Sequence, residues 1–284
     1  MKTITTLLVT LFFSVTTFAE VSLSDKNTLL EFYKATHGEQ WIYKWDLNTS
    51  VSTWRGVTVV MDKVISIDLS DNNLSGFIPS QISKLKNLQV LILYKNNIEG
   101  SIPTTIGELK DLQILNLSFN KLSGTIPVEI CKASTLKELS LFMNNLSGSI
   151  PLAIGSLSNL ELISLYNNNL SGEIPNSIFQ IKVLQELLLN SNQLSGNLSN
   201  SISNLVNLKN LSLFDNKMRG AIPYSLEELK NLSEMNLSYN NFEGFVSNKL
   251  AQKDILNMTM IDSFGVAVVL KTTIEKDKTI ASKE

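Results

Sequence analysis

Apolar and polar positions follow one pattern along most of the chain, and the pattern repeats every 24 residues. In each unit two apolar residues stand one residue apart, as Leu115 and Leu117 do. This period of two predicts a short strand with both side chains in the core. An asparagine ends each predicted strand, and no unit has an insertion or deletion. The asparagines are Asn72, Asn96, Asn120, Asn144, Asn168, Asn192, Asn216 and Asn240. The spacing therefore predicts eight consecutive repeats.

The other fixed positions of the unit indicate how each repeat turns. The asparagine amide both donates and accepts hydrogen bonds, so stacked asparagines are expected to form a ladder that satisfies turning backbone. A glycine four residues later tolerates backbone conformations that strain other residues. A proline after isoleucine keeps the next stretch extended. Because one coil cannot bury its own apolar face, neighbouring coils must stack and pair their strands in parallel. The predicted fold is an α/β solenoid.

The consensus L-x-x-L-x-L-x-x-N-x-L-S-G-x-I-P, seen in Leu112 to Pro127, resembles the plant-type subclass of leucine-rich repeats. That subclass includes receptor-kinase ectodomains and polygalacturonase-inhibiting proteins. The resemblance covers Val64 to about Leu250, within the predicted repeat domain 64–250. It implies a right-handed superhelix with a parallel concave sheet and a second short strand after each asparagine.

The first 19 residues are typical of a secretory signal peptide. Lys2 is followed by an apolar run from Leu7 to Val15 and by small residues ending at Ala19. The run is too short to span a bilayer. We therefore expect residues 1–19 to be removed and the protein to be secreted or held at the cell surface.

Residues 20–63 are predicted to cap the first repeat. Ser24 is a candidate N-cap for a helix that Gly38 would end. All three tryptophans lie close together behind it and are expected to cover the first coil. The segments A-T-H-G-E-Q-W and W-R-G-V resemble the leader unit of such repeats, in which plant members usually place two cysteines. Here Ser52 and Val59 stand at those positions, which favours a secreted bacterial or other non-plant relative without the capping disulfide.

The carboxyl end departs from the repeat. A ninth coil is indicated only by Leu256 and Ile261, and Phe264 stands where its asparagine would be. Residues 251–270 are interpreted as a degenerate cap, and 271–284 as a polar tail. Together they form the last predicted segment, 251–284.

Composition argues against several function classes. The net charge is −2 and no block of lysine and arginine occurs, so nucleic acid is a poor candidate partner. One cysteine and one histidine leave little for nucleophilic catalysis or a metal site. We expect no catalytic residue, no metal and no cofactor. Two carboxylates suffice for a glycosidase, but a continuous solenoid offers no deep cleft. His37, before Gly38, is interpreted as a turn residue, and after the leader no apolar run is long enough to span a membrane.

Binding chemistry is expected where the repeat does not dictate the residue. One outward strand position carries four rings, Tyr94, Phe142, Tyr166 and Phe214, and the next position adds Phe119 and Tyr239. Exposed aromatics of this kind are typical anchors for a partner. Glu138 and Glu186, with Glu234, occupy another outward position and would give the strip an acidic flank. The alternative is that the rings stack from coil to coil and only stabilise the sheet.

These observations predict a recognition module that binds a protein or peptide on its concave face, without catalysis. A second hypothesis is a glycan-binding or adhesion protein, in which Tyr94, Phe142, Tyr166 and Phe214 would stack on sugar rings.

Overall fold

The repeats stack into one solenoid. The structure, a computed structural model, describes residues 21–256, 258–262 and 265–272. The predicted signal peptide and Phe264 lie outside these residues. The coils are numbered 1 to 8 by their asparagines, from Asn72 in coil 1 to Asn240 in coil 8.

A sheet of nine strands runs the length of the solenoid. Its first strand, Val57–Val60, pairs antiparallel with the second. The remaining eight strands are parallel and in register, so that Leu115, Leu139 and Ile163 are neighbours. Those eight strands are Lys63–Asp68, Val90–Ile92, Ile114–Asn116, Glu138–Ser140, Leu162–Ser164, Glu186–Leu188, Asn210–Ser212 and Glu234–Asn236. The predicted parallel sheet is confirmed.

A second parallel sheet follows the asparagines, as the resemblance to plant-type repeats implies. Its strands are Ser75–Gly76, Asn97–Gly100, Lys121–Thr125, Asn145–Gly148, Asn169–Glu173, Gln193–Asn197, Lys217–Ala221 and Asn241–Glu243. The repeat glycines lie in these strands or directly after them. Gly124 has a φ of 79°, a region that side chains with a Cβ adopt only at a cost.

Short 3₁₀ helices form the opposite side of the coils, each one beginning after the proline or its serine replacement. They are Ser80–Lys84, Thr104–Glu108, Val128–Lys132, Leu152–Ser156, Asn176–Gln180, Asn200–Asn204 and Tyr224–Glu228. Paired strands lie about 4.8 Å apart, whereas packed helical turns need more room. The solenoid therefore curves toward the nine-stranded sheet, which forms its concave face.

The predicted asparagine ladder is present. In coil 4, the Nδ2 of Asn144 donates to the carbonyls of Leu117 and Leu141, both at 3.0 Å. Its Oδ1 accepts from the Leu122 amide at 3.0 Å. Each ladder asparagine thus joins its own coil to the preceding one, and Asn72 joins coil 1 to the N-terminal cap through Tyr43.

The N-terminal cap begins with helix α1, Leu23–Ala35. The prediction that Ser24 caps it is wrong by two residues, because the Ser22 side chain accepts from the Asp25 amide at 3.0 Å. Gly38 does not end the helix either. The helix stops at Ala35, and the chain reverses through His37, whose φ is 53°. His37 is therefore a turn residue, as expected. Two short 3₁₀ helices follow, Gly38–Gln40 and Val51–Thr53.

The three tryptophans pack together against the first coil. Trp45 lies in the middle, with its ring centroid 4.9 Å from that of Trp41 and 4.7 Å from that of Trp54. Each indole N–H donates to a backbone carbonyl, at 2.9 to 3.0 Å. Buried rings with satisfied N–H groups stabilise the cap by packing alone.

The carboxyl end differs from the expected ninth coil. Helix α2, Asn248–Ala251, leads to a hairpin of Thr259–Ile261 and Ala267–Val269, and Phe245–Val246 pairs with Lys271–Thr272. Leu256 and Ile261 are not its core residues, because Met258 and Met260 are buried in their place. The ninth turn is shorter than a repeat, and Asp254 takes the position of a strand beside coil 8.

The Asp254 carboxylate closes the open end of the sheet. It accepts from the Ser238 hydroxyl at 2.7 Å and from the Leu237 amide at 2.6 Å. The amides of Leu256 and Met258 donate to it at 3.0 and 3.1 Å. In coil 7 the equivalent amide, that of Leu213, donates to the backbone carbonyl of Asn236 in the next strand. At the end of the sheet the Asp254 side chain accepts the hydrogen bond that a next strand would accept.

Candidate functional site

The concave sheet carries the predicted aromatic residues. Leu115 and Leu117 in coil 3, and their equivalents, point into the core, so the residues between and beside them face out. The row that contains Ser118 holds one residue from each coil. From coil 1 to coil 8 the row is Ser70, Tyr94, Ser118, Phe142, Tyr166, Asn190, Phe214 and Ser238. Its four rings are half-buried, whereas Phe119 and Tyr239 in the next row are 42% and 41% exposed.

The structure brings the six rings together in two groups. Tyr94, Phe119, Phe142 and Tyr166 form the N-terminal ring group. Phe142 lies parallel to Tyr166, with centroids 4.5 Å apart, and Tyr94 is 6.2 Å from both Phe119 and Phe142. Phe214 and Tyr239 form the C-terminal ring pair, with centroids 5.2 Å apart. Coil 6, with Asn190, separates the two groups.

Contact between the rings has two consequences. Burial raises the pKa of the Tyr166 hydroxyl, and the Tyr94 hydroxyl adds a smaller effect in the same direction. The hydroxyl therefore stays protonated and can donate a hydrogen bond over the whole physiological pH range. The rings also contact their neighbours from coil to coil, so stacking contributes to the sheet whatever else the strip does.

One backbone feature of the site was not predicted. The residue before each ladder asparagine has a φ between 50° and 58° in all eight coils. These residues are Asp71, Lys95, Phe119, Met143, Asn167, Ser191, Asp215 and Tyr239. Asparagine and aspartate tolerate this left-handed region, whereas bulky residues enter it at a cost of about 1 kcal/mol. Phe119 and Tyr239 therefore present exposed rings at positions that fold more easily with asparagine.

The predicted acidic flank lies apart from the rings. Glu138 and Glu186 line a shallow depression of about 360 Å³ near the amino ends of the strands, together with Glu161 and Lys137. No ring of the strip lines it. Glu138 accepts from the Ser140 hydroxyl at 2.9 Å, and Glu234 accepts from Asn210 at 2.9 Å. Three carboxylates against one ammonium group make the depression acidic. Glu161 was missed because it precedes the strand Leu162–Ser164, one residue before the predicted row.

The one histidine and the one cysteine of the chain lie apart from the strip of rings. Within the part of the chain that the structure describes, no three His, Cys, Asp or Glu residues are placed to hold a metal ion. Burial raises the pKa of the Cys131 thiol to about 11, so it is protonated at neutral pH. The His37 ring bonds Ser75 at 2.9 Å. Over residues 21–256, 258–262 and 265–272, no helix has the length and apolar character needed to cross a bilayer.

Comparisons with known proteins agree with this architecture. Family descriptions reading "Leucine rich repeat" match residues 62–122 and residues 135–157, 159–181 and 183–205. The leucine-rich repeat receptor protein kinase EMS1 of Arabidopsis thaliana is 38% identical over 96 residues, which are 33% of this chain and 8% of the kinase.

Two solved plant receptors are similar over most of this chain. The leucine-rich-repeat ectodomain of the Arabidopsis receptor kinase HAESA, in complex with an extended IDA peptide hormone, has a TM-score of 0.73 at 31% identity. The match covers 84% of this chain and 40% of that one. The plant peptide hormone receptor RGFR1, in complex with RGF2, has a TM-score of 0.64 at 34% identity, covering 73% and 32%. The chain thus spans less than half of the length of each of these relatives.

Proposed function

We propose that this leucine-rich-repeat protein of the plant receptor-kinase ectodomain type is a secreted or surface-displayed module that binds a peptide segment on its concave face. Binding would involve no chemical step. The observation that carries the proposal is the strip of six rings on the outward side of the concave sheet. The two receptors described above were solved with peptide hormones, which supports a peptide as the partner.

The two exposed rings give the strongest physical support. Folding alone disfavours Phe119 and Tyr239 in left-handed backbone, and both rings remain open to solvent. Aromatic side chains of this kind contribute much of the binding energy in protein interfaces. A rigid sheet also loses little conformational freedom when a partner docks on it.

Ring geometry favours a peptide over a glycan. Phe142 and Tyr166 cover one face of each other at 4.5 Å, and Tyr94 is inclined by 54° to Phe142, so the N-terminal ring group does not present a flat row of ring faces to a glycan chain. A peptide can use ring edges and the polar rows beside them. Ring-dependent glycan binding is therefore the alternative outcome of the binding experiment.

A variant without rings tests the proposal and can be built from residues that the repeat already uses. The six substitutions are Tyr94→Ser, Phe142→Ser, Phe214→Ser, Tyr166→Asn, Phe119→Asn and Tyr239→Asn, since serine or asparagine stands in the same row in another coil. Peptides selected from a displayed random library on the native protein should bind this variant at least about 100-fold more weakly. The measurement is the Kd by titration calorimetry, with the thermal midpoint as the check on folding.

The matched control changes exposed apolar residues on the opposite side: Val128→Thr, Leu152→Asn and Tyr224→Asn, again residues found at that position in other coils. It should keep the native affinity. Equal binding by the variant without rings would refute the concave site. Ring-dependent binding to a glycan panel, with no peptide selected, would support the glycan hypothesis instead.

A further inference from the structure

We infer that the concave face holds two slots, each for one planar side chain, and that its ligand is a basic, extended peptide with planar residues at positions i and i+4. The inference rests on the proposed peptide-binding function and specifies its ligand. The slots lie over Ser118 in coil 3 and over Asn190 in coil 6.

Each slot follows from the order of large and small residues in one row. Tyr94 and Phe142 flank Ser118, and Tyr166 and Phe214 flank Asn190. Residues two coils apart are separated by about 9.6 Å, because paired strands lie about 4.8 Å apart. A planar group held between two rings at about 3.5 Å on each side needs ring planes about 7 Å apart. Upright rings therefore leave space for one planar group.

The two slots are in different states. Over Ser118 the flanking rings lean together, with centroids 6.2 Å apart and planes inclined by 54°. Over Asn190 no ring contact joins Tyr166 to Phe214 among the described residues, so that slot is open. The first slot must open for a ligand, by rotation of the half-buried Tyr94 and Phe142 side chains on the solvent-facing side of the sheet.

The floor of the closed slot carries an unsatisfied group. Ser118 is 0% exposed, and its hydroxyl has no hydrogen-bond partner among the residues that the structure describes. A buried hydroxyl without a partner is costly, and native structures seldom keep one without a reason. In coil 8 the equivalent Ser238 hydroxyl donates to Asp254. We assign the Ser118 hydroxyl to the polar edge of a planar ligand group, such as the N–H of an indole.

The distance between the slots determines the spacing in the peptide. Ser118 and Asn190 lie three coils apart, which is about 14 Å. An extended chain advances about 3.4 Å per residue, and residues an even number apart face the same side. Residues i and i+4 are therefore about 13.6 Å apart on one side, which matches the separation of the slots. Residue i+2 is too close to residue i to reach the second slot, and residue i+6 is too distant.

The acidic depression favours a positively charged ligand. A peptide that spans coils 3 to 6 runs alongside the depression of Glu138, Glu161 and Glu186, where Lys137 is the one cation. Opposite charge steers and orients association, so lysine or arginine in the peptide is favoured.

Synthetic 11-residue peptides test the spacing. Two tryptophans are placed two, three, four or six residues apart in a Ser/Thr host with lysine at each end, and Kd is measured by calorimetry. The i+4 peptide should bind about tenfold more tightly than any other, since a stacked ring contributes about a factor of ten. Ser118→Phe or Asn190→Phe, which fill the slots, should abolish the preference. Ser70→Phe, in the same row outside both slots, should keep it.

A further variant, Ser118→Ala, tests the same slot without a larger side chain that disturbs folding. It removes the unpaired hydroxyl without adding volume, so stability is retained while the i+4 peptide binds several-fold more weakly. Two results would refute the slots and leave the proposed function intact. In the first, selected peptides bind through the rings but show no i+4 pattern. In the second, the preference for the i+4 peptide persists when both slots are filled. Failure of every peptide, selected or synthetic, to bind through the rings would overturn both.

Discussion

Replacing Asn144 with alanine is expected to destabilise the protein by about 3 kcal/mol. The carbonyls of Leu117 and Leu141 keep a second donor, from Asn120 and Asn168 respectively. The Leu122 amide, in contrast, donates to the Asn144 side chain and would lose this acceptor in a buried position. The loss therefore combines one orphaned N–H with two weakened carbonyl contacts. Urea denaturation followed by circular dichroism measures the change in free energy of unfolding.

Two further variants give this prediction its controls. Asn145→Ala changes the next, exposed residue and should cost less than about 0.5 kcal/mol. Asn144→Asp keeps an acceptor for the Leu122 amide but turns a negative oxygen toward the Leu117 and Leu141 carbonyls, so it should be at least as destabilising as alanine. A stable aspartate variant would show that the asparagine does not act as a donor, contrary to the ladder.

Asp254→Ala is expected to cost about 4 kcal/mol and to loosen coil 8. Asp254 is 3% exposed, and its carboxylate accepts four hydrogen bonds, three of them from backbone amides. Unfolding in a solenoid spreads from its ends, so the first effect should be local. Amide hydrogen exchange should accelerate across coil 8 well before it changes in coils 2 to 5.

The control for this prediction is Gln252→Ala, an exposed change two residues away. Asp254→Asn should lie between the native protein and alanine, because the amide oxygen keeps part of the acceptor capacity. Unchanged exchange in coil 8 of Asp254→Ala would show that the closing role belongs to the packing of Met258 and Met260 instead.

The repeat itself could be predicted almost completely from the sequence. A 24-residue period with fixed Leu, Asn and Gly leaves each coil one way to bury its apolar residues, so both the sheet and the ladder follow. The resemblance to plant-type repeats added the second sheet. The ends could not be predicted in this way, because they occur once. Ser22 rather than Ser24 caps helix α1, and Asp254 rather than an asparagine closes the last coil.

The site was predicted in outline. Period-two alternation placed Tyr94, Phe142, Tyr166 and Phe214 on one face. It does not give the lean of Tyr94 and Phe142 over Ser118 or the left-handed backbone that exposes Phe119 and Tyr239. The lean depends on a contact between rings two coils apart, and the left-handed backbone recurs before the ladder asparagine in every coil. The sequence also placed Glu138 and Glu186 in one outward row, but not in a depression with Glu161 that no ring lines.

The most direct test of the central claim is the location of a bound peptide. A library-selected peptide with one residue replaced by photoreactive benzoylphenylalanine is cross-linked to the native protein, and the attachment points are mapped by mass spectrometry. We expect cross-links on the concave strands of coils 2 to 8. They should be concentrated at the row of Tyr94, Phe142, Tyr166 and Phe214 and at the residues beside this row. Cross-links confined to the 3₁₀ side, or to the cap around Trp41 and Trp54, would contradict it.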